Sequence, residues 1–444
     1  MKKILKKVAV CILCCALVVL SSISLSACKN EEPKAHTHAY ENVNYTITND
    51  KSEAFLNKEC ECGKTKTTKI NNAIIVNPDN AQAIFDGYWN ETAYDINNKT
   101  VVFDEGEYSH LLLRASKNAI DGVYAHNTAT PNALGEKLDT LPTSTDYGSY
   151  HYVRSFNNIV FAGTEKAEFN GLFVVWSEHN EAKFPSTIGL ENSASIAWYD
   201  AVRETYCNTN SNTKIANYQH LSLNNILFEN MNFSGKYGRI EIRNNTTNDG
   251  VKNLTVNNCE FKTDEAYEGF QDWFWEGVAI SLKNALTESE VKVVQNYENI
   301  VVKNNIIKGH YQGVYVQNGK NVEVSGNTIL NTVHNFIAIQ SVENVNSIDK
   351  TSTKYFTGNI VIKNNIMANS GDRAIRFGNG LNANIVIENN NILTDGVDSS
   401  DEVLKTSALE GCVFTFKNNN YQDKRLLNII EETQNKYVIK ITDE

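Results

Sequence analysis

Proline is scarce enough to exclude one class of architecture: five prolines in 444 residues, with no Ser/Thr/Pro-rich run, rule out a long extended stalk. Basic charge is short as well. With 41 Lys and Arg against 52 Asp and Glu the chain carries a net charge of −11, so nucleic acid, whose recognition rests on neutralising phosphates, is excluded as a partner. Nine cysteines are too few and too scattered for a disulfide scaffold in a chain long enough to bury its own core. Also missing is any helical period of the length a βαβ crossover needs, which excludes a conventional parallel α/β sheet.

What is present is a repeated phrase of alternating apolar residues that leads into a small turn residue and one further apolar residue. Its copies begin at Asn158, Asn225, Asn253, Asn299, Asn321, Asn359 and Asn384, as in Asn299-Ile300-Val301-Val302-Lys303-Asn304, with a degenerate eighth from Cys412 to Asn418. The tightest intervals, 22 residues (299 to 321) and 25 (359 to 384), belong to stacked-repeat architectures. Period-two alternation rich in β-branched residues reads as a strand with one face turned inward. A second strand follows each turn: Arg239–Arg243, Gly277–Ser281, Gly313–Gln317, Phe336–Gln340 and Ala374–Phe377. Two short strands per repeat predict a coil whose successive turns pair in parallel. Asn at the corner tolerates left-handed φ/ψ and can bond its counterpart one rung away. A propeller would want four strands per repeat.

The run from about Val101 to Tyr421 resembles the right-handed parallel β-helix proteins of the pectin-lyase-like superfamily, and the resemblance implies an all-β solenoid with long loop insertions and a small N-terminal module. It says little about activity, because this solenoid hosts many functions.

Met1–Ala27 has a basic start (Lys2, Lys3, Lys6, Lys7), an apolar stretch from Val8 to Leu20, and Leu25-Ser26-Ala27-Cys28 at its end. This is the pattern of an export signal rather than a spanning helix. It resembles the bacterial lipoprotein box, which implies cleavage before Cys28 and lipid on its sulfur, so the body of the protein, expected to be a monomer, is tethered outside the bacterial membrane. Cleavage would leave 37 basic residues against 52 acidic ones, a net charge of −15. It would also remove Cys11, Cys14 and Cys15, leaving Cys60, Cys62, Cys207, Cys259 and Cys412 as the unlipidated thiols; Cys259 and Cys412 read as core residues.

Residues 28–77 form a polar tether and a small His/Cys module, and 78–444 the solenoid. Leu426–Ile430 and Tyr437–Ile441 are expected to cap its end against edge pairing. In the module, Cys60 and Cys62 of Glu59-Cys60-Glu61-Cys62-Gly63 join His36 and His38 as a candidate tetrahedral zinc set. The Cys-x-Cys gap is tighter than usual, and a simple disulfide or free thiols are the alternatives. The arrangement resembles the His…Cys-x-Cys-Gly modules of bacterial surface proteins. A closed four-ligand site would be structural, with no open position for substrate.

Two repeat intervals are long, 67 residues (158 to 225) and 46 (253 to 299), so each holds surplus chain. These inserts carry Trp176, Glu178, His179, Trp198, Tyr199 and Asp200, and then Tyr267, Phe270, Asp272 and Trp273–Glu276. The stretch Tyr108–Arg154 carries further His and Tyr residues. Such rings either stack on sugars or pack the loops onto the barrel.

Register on the second strand can be read from its inward residues. Setting Ile242, Ile280, Val316, Ile339 and Phe377 inward places Glu241, Ala279, Tyr315, Ala338 and Arg376 in one outward column, and Arg243, Ser281, Gln317, Gln340 and Gly378 in the next. At the strand entrance Gly238, Glu276, Gln312, Asn335 and Arg373 line up, preceded by Tyr237, Trp275, Tyr311, His334 and Asp372. Rungs about 4.8 Å apart make this a patch that spans several sugar units of a complex carbohydrate. Lyase chemistry on a uronate needs its carboxylate neutralised, by Arg373, Arg376 or a bound calcium, and a base such as Tyr315, His334 or His310. Hydrolysis needs two carboxyl groups, for which Glu241 with Glu276 or Asp372 are the candidates. The polygalacturonase-like signatures of the superfamily are not matched beyond a faint echo in Arg239-Ile240-Glu241. A non-catalytic adhesin that binds glycan or protein on the same face is the competing reading.

Overall fold

The computed structural model describes residues 40–86, 95–108, 111–113, 122–126, 134–138, 150–170, 172–176, 219–235, 238–244, 250–263, 277–284, 297–341, 344–345, 352–353, 356–371, 373–378, 380, 382–393, 404–407, 409, 411–421 and 438–441. Three sheets of 13, 9 and 8 strands run side by side, parallel throughout except for two antiparallel strands, Gly122–His126 and Leu134–Leu138, at the side of the first, and each coil of chain contributes one strand to each in turn. One coil shows the pattern: Tyr297–Lys303 lies in the first sheet, Ile306–Lys308 in the second and Gln312–Gln317 in the third, and Gly319–Ser325 begins the next coil. The architecture is the expected all-β solenoid, with three strands per coil rather than two. Most of the additional strands, such as Asn232–Ser234 and Glu260–Lys262, have three residues each. Only their central apolar residue faces the core, too little for period-two alternation to register.

The repeated phrases stack as read. Ile300 pairs with Leu254 on one side and Val322 on the other, and the alternation places Ile300 and Val302 in the core. Phe161 stacks on Phe228, with ring centroids 5.2 Å apart, and Phe233 on Phe261 at 4.7 Å, so inward aromatics form columns along the axis. Each such ring withdraws enough apolar surface to contribute about 2–3 kcal/mol. Val314, Ile339 and Ile375 sit in the same core.

The corner between the first and second sheets is an asparagine spine. Asn304, Asn364, Asn389 and Asn418 adopt φ of 56°, 56°, 54° and 52°, the left-handed turn that asparagine tolerates. The buried ladder is formed by the residue that follows. Asn305 Nδ2 donates to Asn327 Oδ1 at 2.9 Å, Asn327 to Asn365 at 3.0 Å, Asn365 to Asn390 at 2.9 Å and Asn390 to Asn419 at 2.9 Å. The backbone N–H of each rung donates to the same oxygen, as in Asn305 N to Asn327 Oδ1 at 3.0 Å. A second, exposed ladder links the residues that open the phrases, Asn225 to Asn158 and Asn299 to Asn253.

Tyr40–Ile47, Ala54–Cys60 and Thr65–Lys69 form a separate three-stranded antiparallel sheet. It packs against the outer face of the first sheet, where Tyr45 and Ala54 bury against Val102 and Ala162. Tyr45 donates a 2.6 Å hydrogen bond to Glu229, whose other oxygen accepts from Asn257 Nδ2 at 2.7 Å. Ala73–Val76, just before Pro78, pairs in parallel with Thr100–Phe103, so the first sheet begins there. Part of the expected loop between Tyr108 and Arg154 is regular: Gly122–His126 pairs antiparallel with Tyr150–Val153 and with Leu134–Leu138. At the far end Val438–Ile441 adds a parallel strand to Val413–Lys417, extending the first sheet by one rung; Leu426–Ile430 lies outside the described residues.

Candidate functional site

The third sheet carries the candidate side chains, and its register corrects the sequence reading at one rung. Ile280 pairs with Ile240 and Val314, not with Ile242 and Val316, a shift of two residues. The outward column is therefore Glu241, Ser281, Tyr315, Ala338 and Arg376, with Ser281 in place of Ala279, and Lys405 as the next partner of Arg376. Arg243 pairs with Lys283, while Gln317, Gln340 and Gly378 align as expected. Gln312 pairs with Val278, so Glu276 is not its neighbour in register. The slip arises because Val278-Ala279-Ile280-Ser281-Leu282 contains three alternating apolar residues, and either pair fits the inward positions. Leu282 was the available signal.

This column is not an open wall. Glu241, Ser281 and Ala338 are fully buried and Tyr315 is 2% exposed, whereas Arg376 is half-buried. Val278, Tyr315 and Ala338 form an apolar cluster separate from the main core, so one end of the face is shielded and the end toward Arg376 meets solvent. Glu241 is held by Arg239 at 3.3 Å, both groups out of solvent. It is the only carboxylate among the described residues of the third sheet. That leaves no described carboxylate cluster to hold calcium there and no described second carboxyl for hydrolysis. Burial pushes the Tyr315 phenol far above its ordinary range, while the charge of Arg376 acts in the opposite direction. Tyr315 therefore stays protonated at neutral pH.

The corner where the chain passes from the second to the third sheet is different in kind. On successive coils it presents Tyr311, His334 and Arg373, all half-buried. The rings of Tyr311 and His334 stack, with centroids 5.2 Å apart and planes 8° from parallel. A relay of amides fixes the imidazole. Asn335 Nδ2 donates to the Arg373 carbonyl at 3.0 Å, so its Oδ1 is turned to accept from Gln312 Nε2 at 3.4 Å. The same Gln312 amide nitrogen lies 2.9 Å from His334 Nδ1. An N–H donor at that distance occupies the Nδ1 lone pair, and neutral His334 then carries its proton on Nε2. Ser370 Oγ bonds the carbonyls of His334 and Arg373 at 2.6 and 3.1 Å, which fastens the backbone beneath.

His310, a candidate base, is instead 1% exposed, with Nδ1 3.2 Å from the Lys308 carbonyl and Nε2 3.3 Å from that of Gly238. Burial lowers its pKa to about 4, and the Arg239 charge adds to that. It is a neutral structural group, removed from the accessible face.

Glu276, Asp372, His36, His38 and Cys28 lie outside the described residues, as do most of the aromatic inserts. Cys60 is buried and Cys62 exposed. Among the described residues no group of three or more His, Cys, Asp or Glu side chains is placed to hold a metal. Cys259 and Cys412 are in the core as read from the sequence.

No protein-family model matches the sequence, and no curated protein matches it. Among solved structures it is similar to the Streptococcus pneumoniae surface protein and adhesin PfbA, at 12% identity and a TM-score of 0.36, over 83% of this chain and 93% of that one. It is also similar to a mannuronic acid specific polysaccharide family 6 lyase enzyme from human gut microbiota, at 11% identity and a TM-score of 0.20, over 84% and 91%. Both likenesses are distant.

Proposed function

We propose that the protein is an exported, lipid-anchored member of the right-handed parallel β-helix proteins of the pectin-lyase-like superfamily. In this reading it binds an acidic complex polysaccharide at the corner between the second and third sheets. The observation that carries it is the stacked, half-buried Tyr311–His334 pair beside Arg373 and Arg376. Sugar rings stack on such a platform. Two guanidiniums three residues apart on one rung offer charge to the carboxylates of an acidic glycan, and His334 Nε2–H is a ready donor to a hydroxyl or carboxylate. A local pair of cations acts within about one Debye length, roughly 8 Å in physiological salt, despite the acidic surface as a whole.

Binding is favoured over turnover by the state of the candidate bases. The His334 Nδ1 lone pair is engaged, the Tyr315 phenol is buried and protonated, and Glu241 is locked in an ion pair. A lyase is the second reading, supported by the electrostatic contact between Arg376 and Tyr315 across the small Ala338. The two are separated by incubating the protein with pectin, alginate, glycosaminoglycan and neutral glycans. Retention on acidic glycans without new reducing ends or near-ultraviolet absorbance supports binding. Unsaturated product that disappears in Arg376→Ala supports the lyase. No interaction with any of the panel removes both.

A further inference from the structure

The corner that carries the Tyr311–His334 platform also holds an amide with two ways to face the imidazole. Gln312 is buried, with Nε2 2.9 Å from His334 Nδ1 and 3.4 Å from Asn335 Oδ1. Its Oε1 is equally out of solvent and has no hydrogen-bond partner. Asn335 is fixed in its own orientation, because its Nδ2 is tied to the Arg373 carbonyl at 3.0 Å. The Gln312 amide is therefore held only on the His334 side, by one short contact and one long one. On the basis of the glycan-binding reading, we propose that the site takes up a proton on His334 together with the acidic glycan, and that the Gln312 amide turns over to accept it.

With the imidazole neutral, Nδ1 accepts and the Gln312 Nε2–H donates. A proton arriving from solvent at Nδ1 turns that contact into one between opposing donors. A half turn of the amide brings Oε1 to Nδ1, and a charge-assisted bond replaces the neutral one, stronger by roughly a factor of two. The turn gives up only the 3.4 Å contact to Asn335 Oδ1, since nothing bonds Oε1 where it now lies. Among the described residues the charged and titratable groups around His334 are Tyr311, stacked on its ring, and Arg373, on the next coil, with Arg376 three residues further along; Gln312 and Asn335 are neutral. Asp372, which precedes Arg373, lies outside the described residues. A glycan carboxylate attracts the imidazolium, so ligand and proton each tighten the binding of the other by the same factor.

The test measures binding of polygalacturonate and alginate by calorimetry at about pH 8 and about pH 5.5, either side of the range in which histidine ordinarily changes charge. Circular dichroism checks that the protein is folded at both. Affinity should rise about fivefold or more at the lower pH, and titrations in buffers of different ionisation enthalpy should show net proton uptake between those limits. Nitrogen NMR of the wild-type protein at an intermediate pH should show His334 Nδ1 gaining a proton as glycan is added. His334→Gln should bind more weakly and equally at both pH values, whereas Asp372→Asn should keep the rise. Equal affinity of the wild type at both pH values, a rise that survives His334→Gln, or a rise lost in Asp372→Asn overturns proton uptake at His334 and leaves glycan binding standing. No binding of either glycan at any pH removes the binding reading as well.

Discussion

The solenoid has two well-described corners, and they are built on opposite principles. Between the first and second sheets the same residue recurs on coil after coil: Asn305, Asn327, Asn365, Asn390 and Asn419, each bonding the next. Between the second and third sheets each coil brings something different: His310 and Tyr311, then His334, then Arg373. A ladder of one amide satisfies every buried donor with its neighbour, and it leaves nothing over for a ligand. A corner of unlike side chains cannot satisfy itself that way. It needs dedicated partners such as Gln312 and Asn335, and it leaves rings and charges facing outward. Uniform stacking marks architecture in this molecule, and heterogeneous stacking marks the candidate site.

The contrast can be broken most forcefully at the asparagine spine. Asn327→Ala strips the acceptor from Asn305 N–H and Nδ2 and the donor from the Val302 carbonyl. Stranding these buried groups should cost about 3–4 kcal/mol. Chemical denaturation should show that loss, with glycan affinity per folded molecule unchanged.

His310 tests the inner side of the second corner through pH. Its folded-state pKa of about 4 lies below the unfolded value of about 6.5, so between those values the unfolded chain binds more protons. Stability should therefore fall as pH drops from about 6.5 toward 4, by on the order of 3 kcal/mol across the window. His310→Gln should flatten that part of the denaturation-versus-pH curve; an unchanged slope would show that His310 is not held neutral.

The outer side of the same corner should respond in the opposite sense to the spine. Arg376→Ala and His334→Ala are expected to change stability by less than about 1 kcal/mol. Each should weaken acidic-glycan binding about tenfold, near 1.4 kcal/mol, measured by calorimetry. The Arg376 effect should shrink as salt is raised. If either variant unfolds the protein as Asn327→Ala does, the two corners do not differ in role. A local effect is expected at the docked N-terminal sheet. Tyr45→Phe removes one hydrogen bond to a carboxylate and should cost about 1–2 kcal/mol locally, read as faster amide exchange in Tyr40–Ile47.

Much of this was legible beforehand. Asn299-Ile300-Val301-Val302 announces an inward-outward strand because alternation is a local property of the chain, and the 22-residue interval announces stacking because identical phrases must meet. The inward placement of Val314, Ile339 and Ile375 followed from the same pattern. The three-residue strands of the second sheet did not, since one apolar residue per strand carries no period. Nor did the register at Ile280, where Leu282 extends the alternation and permits two alignments. The expected bond between left-handed corner asparagines occurs from Asn258 to Asn230 at 3.1 Å, whereas the continuous buried ladder runs one residue further on, from Asn305, a distinction hidden because Asn304 and Asn305 are the same letter.

Alternation and repeat interval, then, were enough to specify a coiled all-β chain, since both act between residues that are near in sequence or identical in pattern. Which polar residues would be reachable was settled only by tertiary packing. Glu241, Tyr315 and Arg376 share one outward column, yet two are sealed and one is open to water. Exposure depends on what lies across a face in space, and a strand's own pattern says which side a residue takes without saying whether that side is covered.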